Sequence, residues 1–190
     1  MTLKHLSKGV GAASFGSMTY RIGLFSFVFL WATVVAFSAF ASEPRVLSVQ
    51  GDWTAYVFEE NGNKVCYMAS QPIKAEGNYS KRGDIFALIT HRPAEDSRDV
   101  FSYITGYGYK PNSNATVTIN AKKFKLFTQN DMAWTVDDKT DRDLVQAIRG
   151  GNGIVVTGES SRGTKTKDTF SLKGSSSAHD AISRECGLTP

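Results

Sequence analysis

Apolar and polar residues alternate with a period of two along much of the chain. In "NATVTIN" (114–120), Ala115, Val117 and Ile119 share one face, while Thr116, Thr118 and Asn120 take the other. Phe124 and Leu126 oppose Lys123 and Lys125 in "KKFKLFT" (122–128). Phe170 and Leu172 oppose Thr169, Ser171 and Lys173 in "TFSLK" (169–173). Such alternation predicts half-buried antiparallel strands. The runs "NKVCYMAS" (63–70), "DIFALITH" (84–91) and "GIVVTGES" (153–160) are apolar on both faces and read as central strands. Asn61-Gly62 is the strongest hairpin signal, because a type I′ turn needs positive φ at both central residues. Pro111-Asn112-Ser113 and Asn120-Ala121 supply further breaks. Short strands at this spacing predict a β-sandwich or barrel.

Two segments carry a helical period instead. "TDRDLVQAIRGG" (140–151) opens with Thr140 as expected N-cap and Asp143 three residues on. Leu144, Val145 and Ile148 form its apolar stripe, and Gly150 is the expected left-handed terminator. The second helix is expected to start at Ser177-x-x-Asp180 and to end at Gly187. Ala178, Ala181, Ile182 and Cys186 then lie on one face.

The first 41 residues follow neither pattern. Lys4, Lys8 and Arg21 precede the apolar run "IGLFSFVFLWATVVAFSAF" (22–40), and Ala39-Phe40-Ala41 forms a small-x-small cleavage site. A positive start, an apolar middle and such a site define a secretory signal peptide, 1–41. An uncleaved membrane anchor is the alternative reading of the same run. Export follows from both, to the periplasm, the outer-membrane surface or the medium. Removing the three leader cations from the 22 Lys and Arg leaves 19 against 18 Asp and Glu, a net charge of +1 rather than +4. Nucleic acid is therefore not an expected partner, since a polyanion-binding surface needs clustered cations. Residues 42–190 suit one domain.

Cys66 and Cys186 are the two cysteines of the chain. In an oxidising compartment they permit one intramolecular disulfide; free thiols or a bond between chains are the alternatives. The bridge is the expectation. It would tie the C-terminal helix to the Asn61-Gly62 hairpin.

The run "SSRGTKTKDTFSLKGSSSAHDAISREC" (160–186) resembles the C-terminal signature of the invasion-associated locus B family of exported bacterial proteins. Upstream matches follow in order: Gly51-Asp52-Trp53, Cys66-Tyr67, Ile89-Thr90-His91-Arg92-Pro93, Gly106-Tyr107, Phe124-x-Leu126-Phe127, Ala133-Trp134 and Leu144-Val145-x-Ala147. One departure is "GSSSAHDA", where an aromatic after the Gly is expected. The resemblance implies an all-β, immunoglobulin-like antiparallel β-sandwich with two short helices. It also implies an association with host-cell invasion, and neither an enzyme activity nor a cofactor.

The residues themselves give no catalytic or metal motif. His91 and His179 lack the spacing of a metal pair, no G-x-S-x-G elbow occurs, and "DDKTDRD" (137–143) lacks the ligand spacing of a Ca²⁺ loop. No catalytic, cofactor or metal residue is assigned. Arg162, Lys165 and Lys167 at a hairpin tip could meet an acidic partner, or simply keep a sheet edge soluble. Tyr107 and Tyr109 in "GYGYKP" (106–111) face one side and could anchor a protein partner, or cover the rim of the core. Trp53 and Trp134 are expected in the core. The expected function is partner binding, to a host surface or an envelope component. The alternative is a structural or stress-related role in the periplasm without a host partner. Membrane association is expected only through an uncleaved N-terminus or surface contact.

Overall fold

The computed structural model describes residues 42–190; the expected leader and its cleavage site lie outside the described residues. Eleven strands and two helices follow in chain order. They are β1 (Arg45–Gln50), β2 (Trp53–Glu60), β3 (Asn63–Ser70), β4 (Lys74–Gly77), β5 (Phe86–Arg92), β6 (Ser97–Ile104), β7 (Asn114–Ile119), β8 (Lys122–Gln129), β9 (Met132–Trp134), α1 (Asp138–Gly150), β10 (Gly153–Glu159), β11 (Lys165–Ser171) and α2 (Ser175–Glu185). A 3₁₀ turn, Pro93–Glu95, links β5 to β6.

The fold is all-β and antiparallel with a C-terminal helix, as expected. Its strands form one hydrogen-bonded sheet in the order β1-β2-β3-β5-β6-β9-β8-β7-β10-β11-β4. The two faces expected of a sandwich are therefore halves of a single sheet, joined where β9 pairs with both β6 and β8. The halves meet through side chains: Tyr103 of β6 packs edge-to-face on Phe170 of β11 at 6.1 Å. The Trp53 indole N–H on β2 donates to the Ser171 carbonyl on β11 at 3.0 Å. Met68, Ile89, Phe101, Leu126, Ile154 and Phe170 belong to one continuous core. α2 packs across β1, β2 and β3, and α1 packs on β6 and on α2.

The turn chemistry matches the sequence. Asn61 and Gly62 take φ of 52° and 76°, and Asn120 and Ala121 take 47° and 71°. Both pairs have the positive values a type I′ turn requires.

The helix ends differ from expectation. α1 begins two residues earlier than Thr140, because the Asp137 carboxylate accepts the Thr140 N–H at 2.7 Å. A carboxylate at the N-cap also suits the positive end of the helix dipole. Gly150 closes the helix without positive φ; the chain leaves through extended Gly151. α2 begins at Ser175, not Ser177, behind Gly174 at φ 87° with no side-chain cap. A Cβ on Gly174 would lie 2.0 Å from the Gln50 carbonyl oxygen, so the β1 backbone crosses directly over this corner. Gly174→Ala is expected to destabilise by about 2 kcal/mol or more, through left-handed strain and this clash. Equilibrium urea unfolding measures it.

Trp134 also departs from the expected core position. It is half-buried, stacked on exposed Phe127 at 5.5 Å. In three-residue β9 the neighbouring Ala133 takes the inward position, which turns Trp134 outward.

Candidate functional site

The most developed polar centre among the described residues is built around Arg82, in the loop before β5. Its guanidinium makes a two-pronged pair with the Asp168 carboxylate of β11, both contacts at 2.7 Å. The Arg82 Nε–H donates to the Thr105 carbonyl at 2.7 Å, and Nη2 reaches Thr105 Oγ1 at 3.0 Å. The Tyr103 hydroxyl donates to the same Asp168 carboxylate. Both charged side chains are almost wholly buried. Burial alone would lower the Arg82 pKa, but the hydrogen bonds and charge of Asp168 reverse that effect and hold it raised. Burial, reinforced by the Asp168 charge, pushes the Tyr103 hydroxyl up.

Above this pair the guanidinium lies between two aromatic rings. It stands 4.9 Å from the Tyr107 centroid and 5.4 Å from that of Tyr79. A cation desolvated between ring faces is attracted by both quadrupoles. The Tyr107 hydroxyl bonds Thr166 Oγ1 at 2.6 Å, and its ring meets Tyr109 edge-to-face at 5.4 Å. Gly158 of β10 makes room for the pair, since a Cβ there would lie 2.8 Å from the Tyr109 ring. Tyr79, Arg82 and Tyr107 line a cleft of about 580 Å³ whose rim carries exposed Lys81 and Arg162.

A second polar cluster sits where β5, β6 and α2 converge. His91 Nδ1 accepts the Asp99 backbone N–H at 3.0 Å, and its Nε2–H faces Ser183 Oγ at 3.2 Å. His179 Nε2–H donates to Asp99 Oδ1 at 2.7 Å, while the Arg149 guanidinium donates to His179 Nδ1. The Asp99 N–H holds His91 as the tautomer protonated on Nε2. Burial pushes His91 down to about 4, with His179 and Arg98 adding to the effect and Asp99 opposing it. Burial would raise Asp99, but its hydrogen bond and charge contact with His179 win, and its pKa is lowered.

Between about pH 6.5 and 4 the unfolded chain protonates His91 and the folded chain does not. Stability is thus fullest above about pH 6.5 and falls toward pH 4, by about 3 kcal/mol over the interval. Unfolding midpoints measured across that range check it. His91→Gln is expected to flatten the profile.

A family model described as Invasion associated locus B (IalB) protein matches residues 53–183. The chain belongs to the invasion-associated locus B family. No curated protein and no solved structure matched it. Membership in the invasion-associated locus B family points to an exported protein, envelope-associated or secreted. No helix among the described residues is long and apolar enough to cross a membrane.

The matched segment includes Cys66 and ends before Cys186. The expected bridge is present: Cys66 and Cys186 are bonded, with Cα atoms 6.0 Å apart. Of the other residues singled out in this family member, Tyr107 and Arg162 line one cleft. Tyr109 is buried beneath it, and burial raises its pKa. Lys165 and Lys167 lie elsewhere, on β11 against edge strand β4, where Lys167 faces Glu76 at 3.9 Å. The five residues therefore do not form one patch.

Sequence reasoning missed Tyr79, Arg82 and Asp168, and it treated His91 and His179 as unrelated. The missed signal in α2 was available: His179 and Ser183, four apart, share the buried side with Ala178 and Ile182. Polar residues at stripe positions call for partners elsewhere in the fold. Here those partners are Asp99 and Arg149, 80 and 30 residues away from His179.

Proposed function

We propose that this exported family member acts by binding a protein partner with an acidic contact surface, at the host-cell surface or in the envelope. The observation that carries the reading is the cleft of about 580 Å³ in which two tyrosine rings are fixed around a buried arginine beneath a cationic rim. Rigid aromatic groups lose little freedom on contact and dominate the energetics of interfaces. Arg162 and Lys81 on the rim suit an acidic partner and would raise its association rate.

The native, disulfide-bonded protein is expected to bind host-cell surface material above a denatured control. Tyr79→Ala combined with Arg162→Glu should weaken that binding on the order of tenfold, against no change for Lys125→Glu on exposed β8. Equal binding by native protein and denatured control contradicts the host-facing reading. A deletion strain with a leaky envelope and normal host entry would assign the chain to a structural envelope role instead.

A further inference from the structure

The cluster of β6, α1 and α2 opens onto a second cleft, of about 310 Å³, distinct from the tyrosine cleft. Its floor holds His91, Asp99 and His179, and its walls carry Arg98, Arg142 and Arg149. The shape of the floor comes from a β-bulge. Thr90 of β5 pairs with Val100 and Arg92 with Ser97, so β6 holds one residue more than β5 across this interval. Asp99 sits in that interval at φ 59°. Left-handed backbone in a non-glycine residue costs free energy, and bulges of this kind re-aim side chains beside functional sites. Here the distortion turns the Asp99 N–H to His91 and its carboxylate to His179.

His91, Asp99 and His179 place ligand-type atoms within 4.8 Å of one another, the donor set of a cation site. Their hydrogen bonds argue otherwise. Each ring nitrogen is already engaged, and a cation on His179 Nε2 would force a proton onto Nδ1, against the Arg149 guanidinium. Charge argues the same way: three arginines line the cleft with Asp99 as its one side-chain carboxylate, beside the terminal residue Pro190. Arg149 is held in place by Asp180 at 2.8 Å and by His179. Arg98 and Arg142 are exposed, and among the described residues neither has an ion-pair partner. Guanidinium forks match the geometry of carboxylate and phosphate oxygens.

We propose that this cleft is a binding site for a small oxyanion, a phosphate or carboxylate group. Arg98 and Arg142 grip it at the mouth and Arg149 orients it from the wall. The Asp99–His179–Arg149 chain is a positioning device that holds the third guanidinium toward the cleft, and no chemistry is assigned to it. The site is separate from the tyrosine cleft, so neither proposal depends on the other.

The test follows the His179 and His91 imidazole resonances by NMR. The full protein is titrated with inorganic phosphate, sodium acetate and sodium chloride at matched ionic strength. A saturable shift of the His179 signals with phosphate or with acetate is expected, and which anion saturates first assigns the group as phosphate or carboxylate. R98Q/R142Q, both changes at exposed positions, should weaken saturation on the order of tenfold or more. K123Q/K125Q, which removes the same net charge from β8, should leave it unchanged. Shifts that follow ionic strength alone, or that survive in R98Q/R142Q, overturn the proposal.

Discussion

Replacing both Cys66 and Cys186 by alanine is expected to destabilise the fold by about 4 kcal/mol. The bond joins residues 120 apart in sequence. In the chain-entropy picture it removes loop-closure entropy from the unfolded ensemble, and the gain grows slowly with loop length. The bridge also closes the structure mechanically. Cys66 lies on β3, paired with Val57 of β2 and His91 of β5, while Cys186 caps α2. Without it, α2 is held by its apolar face, by Lys64 with Glu185 at 3.2 Å, and by the His91–Ser183 contact. Urea unfolding of native and Cys66→Ala/Cys186→Ala protein measures the difference. A loss below about 1 kcal/mol would show that packing alone secures the helix.

Asp168→Ala is expected to cost about 3–5 kcal/mol, because it leaves the Arg82 guanidinium buried without its counter-charge. Arg82 would keep only the Thr105 and Tyr103 oxygens as acceptors. Removing both charges together, as Arg82→Met with Asp168→Leu, should recover most of that loss, since a buried pair adds little net stability over apolar side chains of similar size. The double variant separates stability from function. Its core can be sound while Tyr79 and Tyr107 lose the cation between them, so binding at the tyrosine cleft should fall although unfolding is nearly restored. Denaturation and partner binding measured on the same three proteins decide it.

The parts of this fold legible in the sequence are those set by local pattern. β3, β7 and β8 lie within one residue of their expected bounds, because side-chain period and type I′ turns are properties of a few consecutive residues. The helix starts were displaced by competition between neighbours. Asp137 outbid Thr140 as a cap, and the crowding of Gln50 over Gly174 fixed where α2 begins. The Cys66–Cys186 pairing was legible because the chain offers one combination. The candidate sites were far less so. Arg82 and Asp168, 86 residues apart, meet only once the sheet has folded its halves together. The Asp99 bulge depends on register between β5 and β6, which no short run of residues encodes. Tyr107 and Tyr109 were visible as a pair, yet their division into a lining ring and a buried one depends on Gly158 beneath them.

Crosslinking in intact cells tests whether the tyrosine cleft is the proposed contact surface for a protein partner. A photoreactive amino acid is placed at Lys81, at Arg162 and, as control, at Lys125 on β8, all exposed positions. Crosslinks to the same partner are expected from positions 81 and 162, and none to it from 125. Equal labelling from all three positions, or no partner at 81 and 162, would contradict it.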